Sequence, residues 1–189
     1  PVRHMTRPPL RFGAVYDFRN PPDSGIATPR LYEEILEQVT WLDQIGLDLV
    51  WFTEHHFVDD GYLPSWTPVA GAMAARTRRV RFSSDICLLP FSHPVRLAED
   101  LAVLDNLTGG RFFCGIGRGY QPHEFMRYGA SNEDSRDRFN EALDIILKMW
   151  ASDEPFEYIG KYWTVRNPEL MYGFLKPHIK PLQKPNPPI

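Results

Sequence analysis

The chain has few cysteines, no long apolar run and no excess of positive charge. Its 189 residues include two cysteines, and 24 acidic side chains outnumber 21 basic ones, which gives a formal net charge of −3. A nucleic-acid-binding protein needs a concentration of positive charge, so we expect no nucleic-acid partner. The cysteines, Cys87 and Cys114, lie in separate apolar segments, a distribution typical of buried reduced thiols rather than of a disulfide framework.

No apolar stretch approaches the roughly 18 residues that a membrane-spanning helix requires. The first residues also lack the charged and then apolar pattern of a secretory leader. We therefore expect a cytoplasmic protein that makes no membrane contact. Residues 1–5 are typical of a cloning remnant that ends in a start methionine, so the folded domain is placed at residues 6–189.

Hydrophobic patterning predicts four strand and helix pairs in succession. Short apolar segments begin near residues 11, 47, 80 and 111, about 31 to 36 residues apart, and each precedes a stretch with apolar residues at helical spacing. This period fits repeated right-handed βαβ crossovers and therefore a parallel α/β sheet. Prolines near the helix starts and glycines just after the ends support these helices, the markers being Pro29, Pro68, Pro94, Gly46 and Gly109.

The length of the chain limits which parallel architecture it can hold. The period alone does not distinguish a closed (β/α)8 barrel from an open doubly wound sheet, but a full barrel needs about 250 residues. Four units fit here, followed by a hairpin predicted over residues 154–165 and by a proline-rich segment that is typical of an extended approach to another strand. If the fold is a barrel, we expect an incomplete one.

Three ionisable side chains, Glu54, His55 and His56, follow the second predicted strand directly. In parallel α/β folds functional groups collect at this carboxyl edge. Because side chains alternate along a strand, His55 is expected on one face and Glu54 with His56 on the other. The two histidines therefore do not converge on one metal ion, and we expect no metal site. Either histidine can have a purely structural role, but an imidazole is also the usual general acid or base at neutral pH.

A glycine-rich segment, residues 115–119, ends the fourth predicted strand. It is not a dinucleotide fingerprint, because the positions that need a third glycine hold Tyr120 and Pro122. The glycines still allow a flat ligand to approach the backbone, and Arg118 is placed either to bind a phosphate or carboxylate or to pair with a surface acid. On the third strand, Asp85 lies among apolar residues, so its carboxylate must have a partner or lie at the sheet edge.

Three segments of the sequence together resemble the bacterial luciferase-like family of flavin-dependent oxidoreductases. They cover residues 46–57, 88–100 and 104–119, in the family's order and spacing. The resemblance extends from about Leu10 to Ile189 but corresponds to the N-terminal half of the family's usual length. It implies a (β/α)8 TIM-barrel fold, of which this chain holds about four β/α units and a hairpin insertion.

The resemblance also implies a cofactor and a set of site residues. The family binds FMN, or in a sister branch a deazaflavin, at the carboxyl face of the barrel, and its catalytic histidine matches His55. A non-proline cis peptide bond that lies against the flavin ring matches Asp85-Ile86. The luciferases proper carry a reactive cysteine where this chain has Gly117, so light emission from long-chain aldehydes is not expected. The cofactor-binding residues that we expect are Ser84, Asp85, Ile86, Gly117 and Arg118.

These expectations lead to one main functional hypothesis and two alternatives. The main hypothesis is a monooxygenase that uses reduced FMN and dioxygen to oxidise a small organic substrate, with the FMN reduced by a separate flavin reductase. One alternative is a deazaflavin-dependent hydride-transfer oxidoreductase with the same fold. The other is a non-catalytic half-barrel, or the ordered part of a longer enzyme. The resemblance further implies a homodimer that packs through the helices of the early β/α units.

Overall fold

The computed structural model describes residues 9–166 and 176–189, so the predicted cloning remnant at residues 1–5 lies outside the described part. Its fold is α/β, in which helices alternate with short strands. In chain order the elements are β1 (Gly13–Tyr16), α1 (Thr28–Ile45), β2 (Leu49–Phe52), α2 (Trp66–Arg76), β3 (Arg81–Ser84), β4 (Cys87–Leu88), a 3-10 turn (Leu89–Phe91), α3 (Pro94–Thr108), β5 (Ile116–Gly117), α4 (Pro122–Arg127), α5 (Ser135–Ala151), β6 (Tyr158–Ile159) and β7 (Thr164–Val165).

The first three strands pair in parallel and in chain order. The register places Phe52 of β2 opposite Ser84 of β3. The third strand was predicted as one continuous element, but the structure divides it at Asp85-Ile86, where the peptide bond is cis as the resemblance implies. The division arises because β3 pairs with β2, whereas β4 pairs with β5 on the other side. A parallel bridge between Phe82 of β3 and Phe112 links this strand to the segment that leads into β5.

The helix ends follow the predicted glycine signals. Gly46 and Gly109 adopt left-handed conformations directly after α1 and α3, with φ angles of 96° and 64°. In this conformation each glycine N–H bonds to carbonyls of the last helical turn, which otherwise have no partner. The spacing of apolar residues therefore predicted these two helices with their ends nearly in place.

The core lies between the strands and helices α2, α3 and α5. Phe52, Phe82 and Phe112 are fully buried, and Trp66 stacks on Phe112 with ring centroids 5.8 Å apart. Burying each of these rings contributes roughly 2 to 3 kcal/mol to folding. The strands are not all covered to the same extent, because the side chain of Val15 in β1 is 56% exposed.

The predicted hairpin is present as the antiparallel pair β6 and β7. The two strands are shorter than the predicted range of 154–165, and residues 160–163 connect them. The carboxylate of Glu141 on α5 accepts hydrogen bonds from the backbone N–H groups of Lys161, Tyr162 and Trp163. These bonds anchor the loop between β6 and β7.

Both cysteines are buried and unpaired, as predicted. Burial raises the pKa of the Cys114 thiol to about 12 and raises the pKa of Cys87 well above its ordinary value. Both thiols are therefore un-ionised at neutral pH. Within the described residues, no helix is both long and apolar enough to cross a membrane.

Asp43, near the end of α1, fixes the entry into β3. Its buried carboxylate accepts hydrogen bonds from the backbone N–H groups of Arg78, Arg79 and Val80, with N to O distances of 2.7 to 2.9 Å. Burial by itself raises the pKa of Asp43, but these three donors and the nearby Arg111 guanidinium outweigh it, so the pKa is lowered overall. The charged form of Asp43 therefore stabilises the folded state.

Replacing Asp43 with Asn is expected to lower the free energy of unfolding by about 1 to 3 kcal/mol at pH 7, since an amide cannot supply the same charged acceptors. A lowered folded-state pKa means that the stabilisation is present above the unfolded-state value of 3.8 and is lost as pH falls through the folded-state pKa. Urea unfolding at pH 7 and pH 3 measures both effects, with the exposed Asp23→Asn as control. An equal loss at both pH values would contradict the role of the charge.

Candidate active site

The carboxyl ends of β2, β3 and β5 meet at one edge of the fold. The backbone N–H of Asp85 donates to the carbonyl of Phe52, and Leu88 lies opposite Gly117 in the next strand pair. Parallel pairing therefore brings residues 53–56, 84–86 and 117–120 to the same edge, although they are far apart in sequence. Most of the residues singled out in the sequence lie here.

His55 occupies a partly closed position at this edge. Its Nδ1 lies 3.1 Å from Oε1 of Glu124, and its backbone N–H donates to the carbonyl of Leu63. The rings of Tyr62 and Tyr120 lie nearly perpendicular to the imidazole at centroid distances of 4.7 and 6.0 Å. With 23% of its side chain exposed, the imidazole is reachable yet held on several sides.

Glu54 and His56 lie on the opposite face of the same segment, as the predicted alternation requires. His56 Nε2 is 3.2 Å from Glu54 Oε1, and His56 Nδ1 is 3.1 Å from the hydroxyl of Tyr128. The second oxygen of Glu54 accepts from the indole N–H of Trp66 and from the backbone N–H of Leu88. Both nitrogens of His56 are thus engaged in a buried network, and the two histidines do not serve one site.

Residues 84–86, at the end of β3 and just beyond it, each have a different position in the site. The hydroxyl of Ser84 is buried and donates to the carbonyl of Gly115 at 2.7 Å, so it links two strands. Asp85 is exposed at the sheet edge, which is one of the two positions expected for it. Ile86 is 38% exposed, and its side chain fills the space beside Gly117. Ser84 and Ile86 therefore contact the glycine-rich segment directly.

Arg118 points toward the solvent side of this edge. Its guanidinium reaches the hydroxyl of Ser135 at 3.4 Å and is not seen to pair with Asp85. Together with Arg136 it lines a cavity of about 340 Å³ next to Gly117. Two cationic side chains face one cavity, and its other lining residues are Ile116, Phe139 and Asn140.

Glu124 is the site residue that the sequence analysis missed. It is 1% exposed and lies on α4, a helix of six residues that no hydrophobic period predicted. The available signal was Pro122 at the helix start together with Gly129 just beyond its end, at a φ of 64°.

Across the described ranges, no group of three or more His, Cys, Asp or Glu side chains is arranged to hold a metal ion.

Comparison with known proteins bears on this site. A family model described as luciferase-like monooxygenase matches residues 10–189. The chain belongs to the luciferase-like monooxygenase family. It is 36% identical over 135 residues to the 4-hydroxyprotoasukamycin monooxygenase of Streptomyces nodosus subsp. asukaensis, covering 71% of this chain and 36% of that protein. It is 30% identical over 166 residues to the oxygenase component of the flavin-dependent trigonelline monooxygenase of Acinetobacter baylyi, covering 85% and 42%.

Solved structures agree with the luciferase-like assignment. A monooxygenase from Streptomyces bottropensis superposes with a TM-score of 0.81 at 32% identity, covering 94% of this chain and 52% of that one. The oxygenating constituent of 3,6-diketocamphane monooxygenase from Pseudomonas putida, in complex with FMN, gives a TM-score of 0.76 at 26% identity, covering 91% and 49%. This luciferase-like chain therefore spans about half the length, or less, of the relatives that it matches.

Proposed function

We propose that the chain is the N-terminal half of a flavin-dependent monooxygenase that uses reduced FMN and dioxygen to oxidise a small organic substrate. The observation that carries the proposal is the placement of His55 and the Arg118 segment at one edge of the parallel strands, bridged by Tyr120. Relatives named as monooxygenases support the reaction type. A relative named as an oxygenase component supports a separate flavin reductase as partner.

The residues of this edge fit FMN. Arg118 and Arg136 offer two guanidinium groups to a phosphate, and the cavity between them also has apolar walls suited to a planar ring. Beside it, the exposed Ile86 packs against Gly117 and provides an apolar contact surface, with Ser84 and Asp85 on the same segment. When bound, FMN supplies the redox chemistry. The chain itself holds the cofactor, orients it and limits water access.

His55 is the proposed catalytic residue. In this role the imidazole accepts or donates a proton at the substrate or cofactor, which is general acid or base catalysis. Tyr62 and Tyr120, whose rings pack beside His55, reduce the access of water to it.

We further propose that residues 6–189 form the first half of a (β/α)8 barrel. Support comes from strands that follow one another in chain order and from the last residues, where the backbone N–H of Cys114 donates to the carbonyl of Pro188 at 2.8 Å. Phe12 and Val15 are exposed on the β1 side, where the remaining strands of a full barrel would cover them.

A cytoplasmic homodimer that packs through early helices is part of the same proposal, and the 62% exposed Leu107 on α3 supports it.

A second candidate is deazaflavin-dependent hydride transfer without oxygen. A solved F420-dependent secondary alcohol dehydrogenase shares the fold, with a TM-score of 0.73 at 22% identity. This likeness concerns the fold alone, so it keeps the candidate open to test. The third candidate is a half-barrel without catalytic activity.

Cofactor titration separates these candidates. We expect FMN to bind about 10 to 100 times more tightly than riboflavin, which lacks the phosphate, because hydrogen bonds between charged groups contribute about 1.5 to 3 kcal/mol. With reduced FMN in air, we expect product from a panel containing 3,6-diketocamphane and trigonelline, measured by mass spectrometry. Binding of F420 with substrate reduction and no oxygen uptake would favour the second candidate. No binding of any flavin would favour the third.

A further inference from the structure

We propose that Glu124 is a positioning residue for His55. Its carboxylate holds a proton on Nδ1 of His55, which leaves Nε2 as the nitrogen that faces the reaction. The consequence for turnover rests on the proposed catalytic role of His55. The positioning itself concerns two side chains of this protein and can be measured without any cofactor.

The hydrogen bonds at Glu124 determine which nitrogen of His55 carries the proton. Oε1 accepts the backbone N–H of His56 at 2.9 Å and lies 3.1 Å from His55 Nδ1. A backbone N–H is always a donor, so this oxygen is an acceptor at that place. A neutral imidazole has one donor and one acceptor nitrogen, and only a protonated Nδ1 is compatible with a carboxylate oxygen opposite it.

Helix α4 holds this carboxylate rigidly. Phe125, next to Glu124, is buried and packs edge-on against Phe91 with centroids 4.8 Å apart. His123, on the other side of Glu124, places its Nε2 3.1 Å from the carbonyl of His56. His123 therefore ties the helix to the histidine segment, and Phe125 packs the helix against the 3-10 turn, so Glu124 has little freedom to move away.

The second oxygen of Glu124 argues against a purely structural role. Oε2 is buried and has no hydrogen-bond partner in the described part of the chain. A buried carboxylate with an unpaired oxygen is costly, and a neutral glutamine would bind the same backbone N–H at lower cost. A negative charge at this place is useful because it favours the proton on the adjacent imidazole.

No other charged group in the described residues contacts the His55 ring as Glu124 does. Tyr62 and Tyr120 contact the imidazole with uncharged rings. The Arg19 guanidinium lies over the Tyr62 ring at 5.1 Å and pairs with Asp60. The side chains of Glu54 and His56 project from the opposite face, as described above. Glu124 is therefore the acid that determines which nitrogen of the His55 imidazole carries the proton.

The neighbouring pair provides a matched control. His56 also contacts a buried glutamate, Glu54, but its other nitrogen is bound to Tyr128. In contrast, His55 is bound to Glu124 through Nδ1, and its Nε2 stays available for the reaction. Two histidine and glutamate pairs of similar geometry can therefore be perturbed separately.

The test is ¹⁵N NMR of the imidazole groups of the cofactor-free protein, with signals assigned from His55→Gln and His56→Gln. We expect His55 in the wild-type protein to carry its proton on Nδ1. Glu124→Leu should shift it toward the Nε2–H tautomer, whereas Glu54→Gln should leave it unchanged. If the leucine variant does not fold, Glu124→Gln decides, because loss of the charge should move the Nδ1 proton resonance upfield.

An Nε2–H tautomer of His55 in the wild type, or no response to either Glu124 variant, would overturn the proposal. In turnover of the panel, Glu124→Gln should lower kcat by about 10 to 100-fold with little change in KM, the range typical of residues that orient a functional group. If the NMR signals respond but kcat does not, the positioning is supported and the catalytic role of His55 is wrong.

Discussion

Replacing His55 with alanine is expected to lower turnover of the substrate panel by about a thousandfold, the middle of the range for a general acid or base. The protein should still fold and bind FMN, because the side chain is partly exposed and the cavity with Arg118 and Arg136 is built from other elements. Neighbouring His56 cannot replace the imidazole, since both of its nitrogens are already engaged. Steady-state kinetics with reduced FMN, together with FMN titration, measures the two properties separately.

A matched control removes an imidazole outside the candidate site. His93 precedes α3 and faces the ring of Trp163 edge-on at 5.4 Å, so His93→Ala should leave turnover close to that of the wild type. His55→Gln keeps hydrogen-bonding atoms but no titratable group, and should resemble the alanine variant if proton transfer is the role. Wild-type turnover by His55→Ala would contradict the assignment.

The elements that the sequence predicted well are those with several turns of periodic burial. Helices α1 and α3 are long enough to repeat an apolar face, and Gly46 and Gly109 mark their ends. The strands were predicted less accurately. The segment on either side of Asp85-Ile86 does not reveal that β3 and β4 pair with different neighbours, because pairing depends on strands that are distant in sequence.

The candidate site was predictable where chemistry and strand alternation are local. The opposite faces of His55 and His56 follow from the alternation of side chains along a strand, and the structure confirms them. Glu124 was not predictable in this way, because it is 69 residues from His55 and lies on a helix too short for a periodic pattern. Its partner is set by tertiary packing, which a single sequence does not display.

Replacing Gly115 with alanine is expected to destabilise the protein by about 3 kcal/mol, the upper end of the usual cost of overpacking. An added Cβ would lie 2.2 Å from the backbone carbonyl oxygen of Ser84. That backbone cannot move freely, because the Ser84 hydroxyl and the N–H of Cys87 both donate to the carbonyl of Gly115. The free energy of unfolding in urea, measured on the variant and the wild type, gives the loss directly.

Gly117→Ala is the matched comparison two residues further along. Its added Cβ would overlap the Cδ1 atom of Ile86, at 1.8 Å, but this atom is the end of a flexible and partly exposed side chain. A change of rotamer relieves the overlap at about 1 kcal/mol. Equal losses for the two variants would contradict this distinction. The expected difference means that Gly115 maintains the spacing between strands, whereas the space at Gly117 belongs to the proposed cofactor cleft, so Gly117→Ala should weaken FMN binding more than it weakens folding.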